Sequence, residues 1–197
     1  MLEIEAARSA LLVMDFQTAI VENFSTDREG LLERTAGLLR VARASGVQVI
    51  YVVVGFRPGF PEISPNNLTF SQIKQSGRFS MPASPEQSIH PAVAAQEGDI
   101  VVVKHRVSAF FGTDLDMILR ANGIETLIMG GIATSGVVLS TLRHAADADY
   151  RVIVVEDCCS DRDPEVHACL VGKVFPRQAT ITQAAALEPA LKKGASV

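Results

Sequence analysis

Three strand-like apolar runs in this 197-residue chain end in groups able to do chemistry. The first is Asp15, closing the run LLVMD. A carboxylate directly after a buried strand must be solvated, paired or functional; capping the following helix is the plain alternative. The second is Lys104, closing DIVVVK. An ammonium there is costly unless paired or wet, although a snorkelling surface lysine fits the same description. His105 and Arg106 follow and make the local field positive. The third is MGGIATSGVVLST, Met129–Thr141, a glycine-rich turn leading into a helical pattern. Backbone N–H groups at such a helix start hold an oxyanion without any charged side chain. Thr134 or Ser135 would cap the helix. The plain alternative is a tight connection in which Gly130, Gly131 and Gly136 give the backbone clearance. The spacing is not G-x-G-x-x-G, which ranks a nicotinamide-dependent oxidoreductase last.

The elements that must position these groups alternate. Strand candidates are Ala10–Met14, Val47–Val54, Ile100–Val103, Thr126–Met129, Val152–Val155 and Thr180–Thr182. Most are continuously apolar and β-branched, as strands buried on both faces should be. Helical patterns cover Gly30–Ser45, Asp114–Asn122, Ser135–Asp149, Pro164–Val174 and Gln183–Lys193. Ser45-Gly46 and Asn122-Gly123 read as helix stops. The alternation predicts an α/β fold, a parallel sheet with helices on both faces, and an active cleft at the carboxyl ends of the strands. Gly55–Pro91, rich in Pro, Ser, Asn and Gly, breaks the pattern and is long enough for a lid or an oligomer contact. One domain over 1–197 is expected.

Composition narrows the function classes. Hydrophobic residues make up 48% and charged residues 20%, a globular profile. The net charge of -4 disfavours nucleic acid and anionic membrane as partners. There is no run long enough for a membrane span, and MLEIEAARSA lacks the basic start of a secretion signal. Cys158, Cys159 and Cys169 fit no zinc spacing and are expected as reduced thiols in a cytoplasmic protein.

The order Asp15, Lys104 and GGIATSGVVLSTLRHAADADYRVIVVEDCCSDRD, with KHRVSAFFGTDLDMILRANGIETLIMGGIAT between, resembles the isochorismatase-like, or cysteine hydrolase, superfamily. The likeness runs from about Ala10 to Gln183. It implies a three-layer α/β/α sandwich of Rossmann type around a six-stranded parallel sheet, and a triad of Asp, Lys and Cys. Asp15 takes the aspartate place and Lys104 the lysine place. It also implies a non-proline cis peptide, here at Ile132–Ala133, and oxyanion donors on the amides of Ala133 and Val137. Dimers or tetramers are common in the family, so a homodimer or homotetramer is expected.

The nucleophilic position, three residues after the threonine, is Val137 in this chain. Valine cannot attack a carbonyl or carry a covalent intermediate. Cys158 and Cys159 follow the next strand and Cys169 lies on a later helix; small buried cysteine is the better reading of Cys159. Ser135 has no histidine obviously placed to activate it, and nothing in the spacing of His90, His105, His144 and His167 recommends a Ser–His–Asp set. The Asp-x-His metal motif of the nicotinamidase branch is replaced by VVVGFRPGFPE, so no metal and no cofactor are expected. Isochorismatases proper also lack the cysteine and hydrolyse a vinyl ether. The resulting expectation is a hydrolase acting on a small anionic molecule, with Asp15 as general acid/base and Lys104 as its electrostatic partner. The alternative is a catalytically silent binding protein on the same fold. Thr134, Ser135 and Gly136 belong to the expected oxyanion turn. Arg57, Arg106 and Arg143 are candidate anion ligands, and Phe16, Phe24, Phe110 and Phe111 candidate pocket walls, against surface and core roles respectively.

Overall fold

Six apolar runs form one sheet in the computed structural model, which describes residues 3–76, 79 and 84–194. The strands are β1 Ser9–Met14, β2 Gln48–Val54, β3 Ile100–Lys104, β4 Thr126–Ile132, β5 Arg151–Ser160 and β6 Thr180–Thr182. All neighbours pair in parallel, in the order β3-β2-β1-β4-β5-β6. The chain winds outward from β1 in one direction and then, starting again at β4, in the other. The point of reversal lies between β1 and β4, where an open α/β sheet leaves a crevice at its carboxyl edge.

Among the described residues, α-helices cover the two faces: α1 Thr18–Phe24, α2 Arg28–Ala44, α3 Leu68–Ser76, α4 Leu115–Ala121, α5 Leu139–Asp147, α6 Pro164–Cys169 and α7 Ala184–Gly194. Alternate strand residues divide between two cores. Leu11, Val13, Tyr51 and Val53 pack with Ile20 of α1, Leu31 and Leu38 of α2 and Leu187 of α7. Leu12, Met14, Ile50 and Val52 pack with Leu119 of α4 and Leu142 and Ala145 of α5. Each fully buried Leu, Ile or Val contributes about 1.5–3 kcal/mol over its exposed state. This is the expected α/β/α sandwich. α2 starts one residue after Asp27, whose carboxylate accepts the Gly30 N–H at 3.2 Å. Among the described residues no helix is long and apolar enough to cross a membrane.

Three expectations need correction. β5 does not stop at Val155 but runs to Ser160 through Glu156 and Asp157. Its register against β4 shifts between Met129 and Gly131, and a Cβ on Gly130 would lie only 3.0 Å from the Cys158 carbonyl oxygen. The bare glycine lets the bulged strand approach, which an apolar-run reading cannot register. α1 is an addition to the expected helices; TAIVENF buries only Ile20 and Val21 and so carries little periodic signal. Within Gly55–Pro91, α3 forms although only its Phe70 is buried and Leu68 is 80% exposed. That segment joins the core on the α1–α2 face of the sheet through its aromatic residues: the Phe56 ring lies 5.9 Å from Phe60 and 5.5 Å from Phe70. Gln17 staples it to the sheet edge, donating to the Val54 carbonyl at 3.0 Å, accepting the Val54 N–H at 2.8 Å, and bridging to Ile89. Residues 77, 78 and 80–83 of the segment lie outside the described residues.

Candidate active site

Asp15 follows β1 with φ at 60°. Its own N–H continues the ladder to the Val52 carbonyl at 2.8 Å. The chain turns there into the left-handed region, which Asp tolerates better than most residues. The N-cap of α1 is Gln17, without a side-chain cap bond, so Asp15 is not a helix cap.

Lys104 ends β3, two strands away across β2. Adjacent strands lie about 4.8 Å apart, so only a long side chain spans the gap. Lys104 Nζ reaches Asp15 Oδ2 at 2.9 Å, with both side chains under a tenth exposed, and donates to the Arg106 carbonyl at 3.2 Å. Asp15 Oδ1 is buried and has no partner among the described residues. Burial pushes the Asp15 carboxyl above its usual value, and the Lys104 charge opposes that shift without cancelling it.

The glycine-rich turn lies beside this pair, since Met14 of β1 is in register with Gly131 of β4. A Cβ on Gly131 would meet Val138 Cγ2 at 3.0 Å and Met14 Cβ at 3.1 Å, so the turn is tight against β1. The Ile132–Ala133 peptide is cis. Thr134–Val138 forms a wide turn with Gly136 at φ -97° and ψ -105°, and α5 continues from it. The Ala133 carbonyl accepts from Gly136 at 3.0 Å and from Val138 at 3.3 Å. Ser135 N–H donates to Asp161 Oδ2 at 2.7 Å. These bonds use neither the Ala133 nor the Val137 amide. Neither Thr134 nor Ser135 caps the helix: no side-chain cap bond is made there, and the Thr134 hydroxyl contacts His167 Nδ1 at 2.8 Å. Val137 is 2% exposed, in the same apolar cluster as Met14, Ala109 and Phe110.

The other candidates separate. Phe16 is core, and Phe110 stacks on His144 at 4.4 Å with the rings nearly parallel. Phe111 is 65% exposed. Arg106 spends its guanidinium on the carbonyls of His105 and Glu62, at 2.6 and 3.1 Å, tying the end of β3 to the long segment. Arg57 pairs with Glu62 and Arg143 with Gln178. Cys158 and Cys159 are buried; burial pushes the Cys158 thiol up to about 12 and the Cys159 thiol up as well. Such thiols stay protonated and unreactive at neutral pH. No group of three His, Cys, Asp or Glu able to hold a metal occurs among the described residues.

Three residues have roles that the sequence reading does not assign, although Asp161 and Arg162 lie in the matched stretch ending SDRD and His167 is among the histidines considered for a Ser–His–Asp set. Asp161 and His167 brace the turn. Arg162 lines a cavity of about 670 Å³ with Ala19, Asn23 and Phe24 of α1 and Gln72 and Ile73 of α3. Its guanidinium lies 5.1 Å from the Phe24 ring centroid and makes no ion pair among the described residues. The strand-end signal that finds Asp15 would also find Asp161 if β5 were carried past its two acids.

The isochorismatase domain matches residues 9–186. The chain is 36% identical over 177 residues to the ureidoacrylate amidohydrolase RutB of Yersinia enterocolitica, covering 80% of this chain and 77% of that one. It is 31% identical to N-carbamoylsarcosine amidase from Thermoplasma acidophilum, with a TM-score of 0.71 over 90% of this chain and 96% of the other. A cysteine hydrolase from Pseudomonas syringae superposes with a TM-score of 0.88, over 98% of this chain and 97% of that one, at 22% identity, which speaks for the fold alone. Relatives in this group are named as amidohydrolases, and with a matching domain over most of its length the chain belongs to the isochorismatase family of hydrolases.

Proposed function

We propose that the protein is a hydrolase that uses water rather than a covalent nucleophile, with Asp15 moving the proton. The observation that carries this reading is the asymmetry of the Asp15 carboxyl. Oδ2 is held by Lys104 at 2.9 Å, while Oδ1 is buried without a partner among the described residues. A buried oxygen without a hydrogen-bond partner, on a carboxyl whose proton affinity burial raises against the opposing Lys104 charge and Val54 amide, is suited to general acid/base work. Lys104 orients the group and compensates its charge after proton loss.

A bond that breaks on protonation alone suits this equipment, and a vinyl ether is such a bond. Asp15 gives its proton to the terminal alkene carbon, leaving an oxocarbenium ion. Water adds to the carbon that bears the ether oxygen, its surplus proton returns to Asp15, and the hemiketal collapses to a ketone and an alcohol. The amides of Ala133 and Val137 would stabilise the oxygen that gains negative charge during collapse. Val137 supplies an apolar wall where a thiol would otherwise stand.

An anionic substrate is supported by Arg162. It is a cation with no carboxylate partner among the described residues, on a cavity of ligand size that α1 links to the end of β1, although the lining includes none of Asp15, Lys104 or the amide turn. The Phe24 ring holds the guanidinium, and the apolar faces of α1 and α3 would enclose the body of the molecule. We further propose a homodimer or homotetramer, checked by sedimentation velocity.

The test is turnover against a panel of carboxylate-bearing vinyl ethers, amides and carbamates, with Asp15→Asn as control. Turnover by the wild type that falls about 100-fold or more in the variant is expected. Equal inactivity of both on every compound sinks the reading. The second reading, a silent binding protein, is favoured by the hydrocarbon at Val137. It predicts saturable binding with an unchanged ligand, and conversion of that ligand removes it.

A further inference from the structure

We propose that His167 and Asp161 are positioning residues that set the amide turn after β4, and through it the donors of Ala133 and Val137. The proposal rests on the reading of that turn as the oxyanion site.

The β4–β5 ladder ends at the pair Ile132–Ser160. Beyond it, side chains from the β5–α6 connection and from α6 itself take over. Asp161 Oδ2 accepts the Ser135 N–H at 2.7 Å and His167 Nδ1 contacts the Thr134 hydroxyl at 2.8 Å. The two bonds grip consecutive residues of the turn from one brace. The brace is itself fixed: Asp161 Oδ1 accepts the Asp163 N–H at 3.4 Å, and Asp163 accepts from Glu165 and Val166 at the start of α6. Thr134 is 0% exposed, so its hydroxyl has no water to replace histidine. Where Nδ1 is unprotonated the hydroxyl donates to it; where Nδ1 carries hydrogen the hydroxyl accepts. The contact holds in both forms.

Asp161 also decides which amide is left. By taking the Ser135 N–H it removes that donor from the turn, while Gly136 and Val138 donate to the Ala133 carbonyl. An oxyanion would then be met by the remaining amides, in an orientation fixed from the α6 side. Misplacing such donors by about 1 Å costs on the order of 100-fold in rate. In Thr134→Val the stability cost is small by comparison, because the half-buried imidazole regains water and valine fills the threonine volume; His167→Ala costs more, because it leaves the Thr134 hydroxyl buried without a partner.

A thiol installed at the turn reads its geometry without a substrate. The parent is Val137→Cys with the exposed Cys169 changed to Ala, leaving Cys158 and Cys159 buried. The measured quantity is the rate at which iodoacetamide alkylates the installed thiol at neutral pH, resolved by peptide mass spectrometry, since thiolate formation depends on nearby donors and charge. In this parent, His167→Ala and Thr134→Val should each slow alkylation about tenfold or more. Thr134→Val should melt within about 2–4 °C of the parent, and His167→Ala should melt lower than Thr134→Val while slowing alkylation no more. His167→Asn, whose amide reaches the place of Nδ1, should keep a rate close to the parent, and the Thr134→Val/His167→Ala double variant should be no slower than either single one. Unchanged alkylation in the single variants, equal slowing by His167→Asn, or an installed thiol in the parent no more reactive than Cys158 and Cys159, which are buried to a similar degree, overturns the proposal. A wild type without turnover on any compound would sink the hydrolase reading and leave these rates untouched.

Discussion

Asp15 and Lys104 are each expensive where they stand, and each makes the other tolerable. Removing one leaves the other buried and unpaired, which costs about 3–5 kcal/mol. Asp15→Asn therefore has two expected outcomes: loss of turnover, and a lower urea midpoint because the ammonium loses its counter-charge. Lys104→Met separates the electrostatics from the chemistry. Burial then acts on Asp15 without opposition, so its folded value rises further from an already raised position. A carboxyl raised in the folded state favours the folded protein most below the unfolded value of about 3.9 and loses that contribution as pH climbs through the folded value. Urea unfolding of Lys104→Met should show stability falling with pH across that window more steeply than the wild type. A flat difference between the two proteins would show that Asp15 does not ionise there.

At the scale of elements, the site depends on how closely β4 packs between β1 and β5. Gly131 has Met14 on one side and Val138 on the other, both within 3.1 Å of where a Cβ would stand. Gly131→Ala must move β1 or the turn, with a cost of about 1–3 kcal/mol and a loss of turnover larger than the loss of stability implies. Calorimetry against initial rates checks this; a stable, fully active variant would show that the turn tolerates displacement. A second link joins α2 to the chain entering β3. Arg43 pairs with Asp99 at 2.6 Å and donates to the Tyr51 hydroxyl at 3.0 Å, and that hydroxyl donates to the Val93 carbonyl at 2.8 Å. Burial raises the Tyr51 phenol to about 12. Absorbance titration should therefore show one of the two tyrosines ionising only near pH 12, and a normal phenol titration for both would contradict the packing.

For the whole molecule, the proposed substrate cavity is built from parts brought together from far along the chain. α1 follows β1, α3 belongs to the segment between β2 and β3, and Arg162 follows β5, yet they line one cavity. Arg162→Leu should weaken binding of a carboxylate-bearing substrate by about 1.5–3 kcal/mol, the range for a hydrogen bond to a charged group. An uncharged analogue should be affected little. Isothermal titration with the acid and its methyl ester separates the two; equal losses would remove the anion-binding role. Large exposed apolar side chains at Leu68, Phe111 and Met117 give the proposed oligomer a place to be tested by sedimentation, without deciding which surface it uses.

The sequence by itself determined the sheet, because runs such as VVV and TLIM are apolar at every position and only a two-sided core accepts them. It also determined the three strand-end groups, because a charge or a glycine cluster after such a run is legible locally. It did not reveal α1 or α3, whose short amphipathic faces bury one or two residues each, nor the bulged end of β5, where Glu156 and Asp157 interrupt the apolar pattern. Only the tertiary structure decided that Lys104 crosses β2 to reach Asp15, that Thr134 turns to His167 rather than capping its helix, and that Arg162 rather than Arg106 faces open space. Those outcomes depend on distances between residues far apart in the chain. Periodicity along a chain carries no information about which distant side chains will share a volume from which water has been excluded.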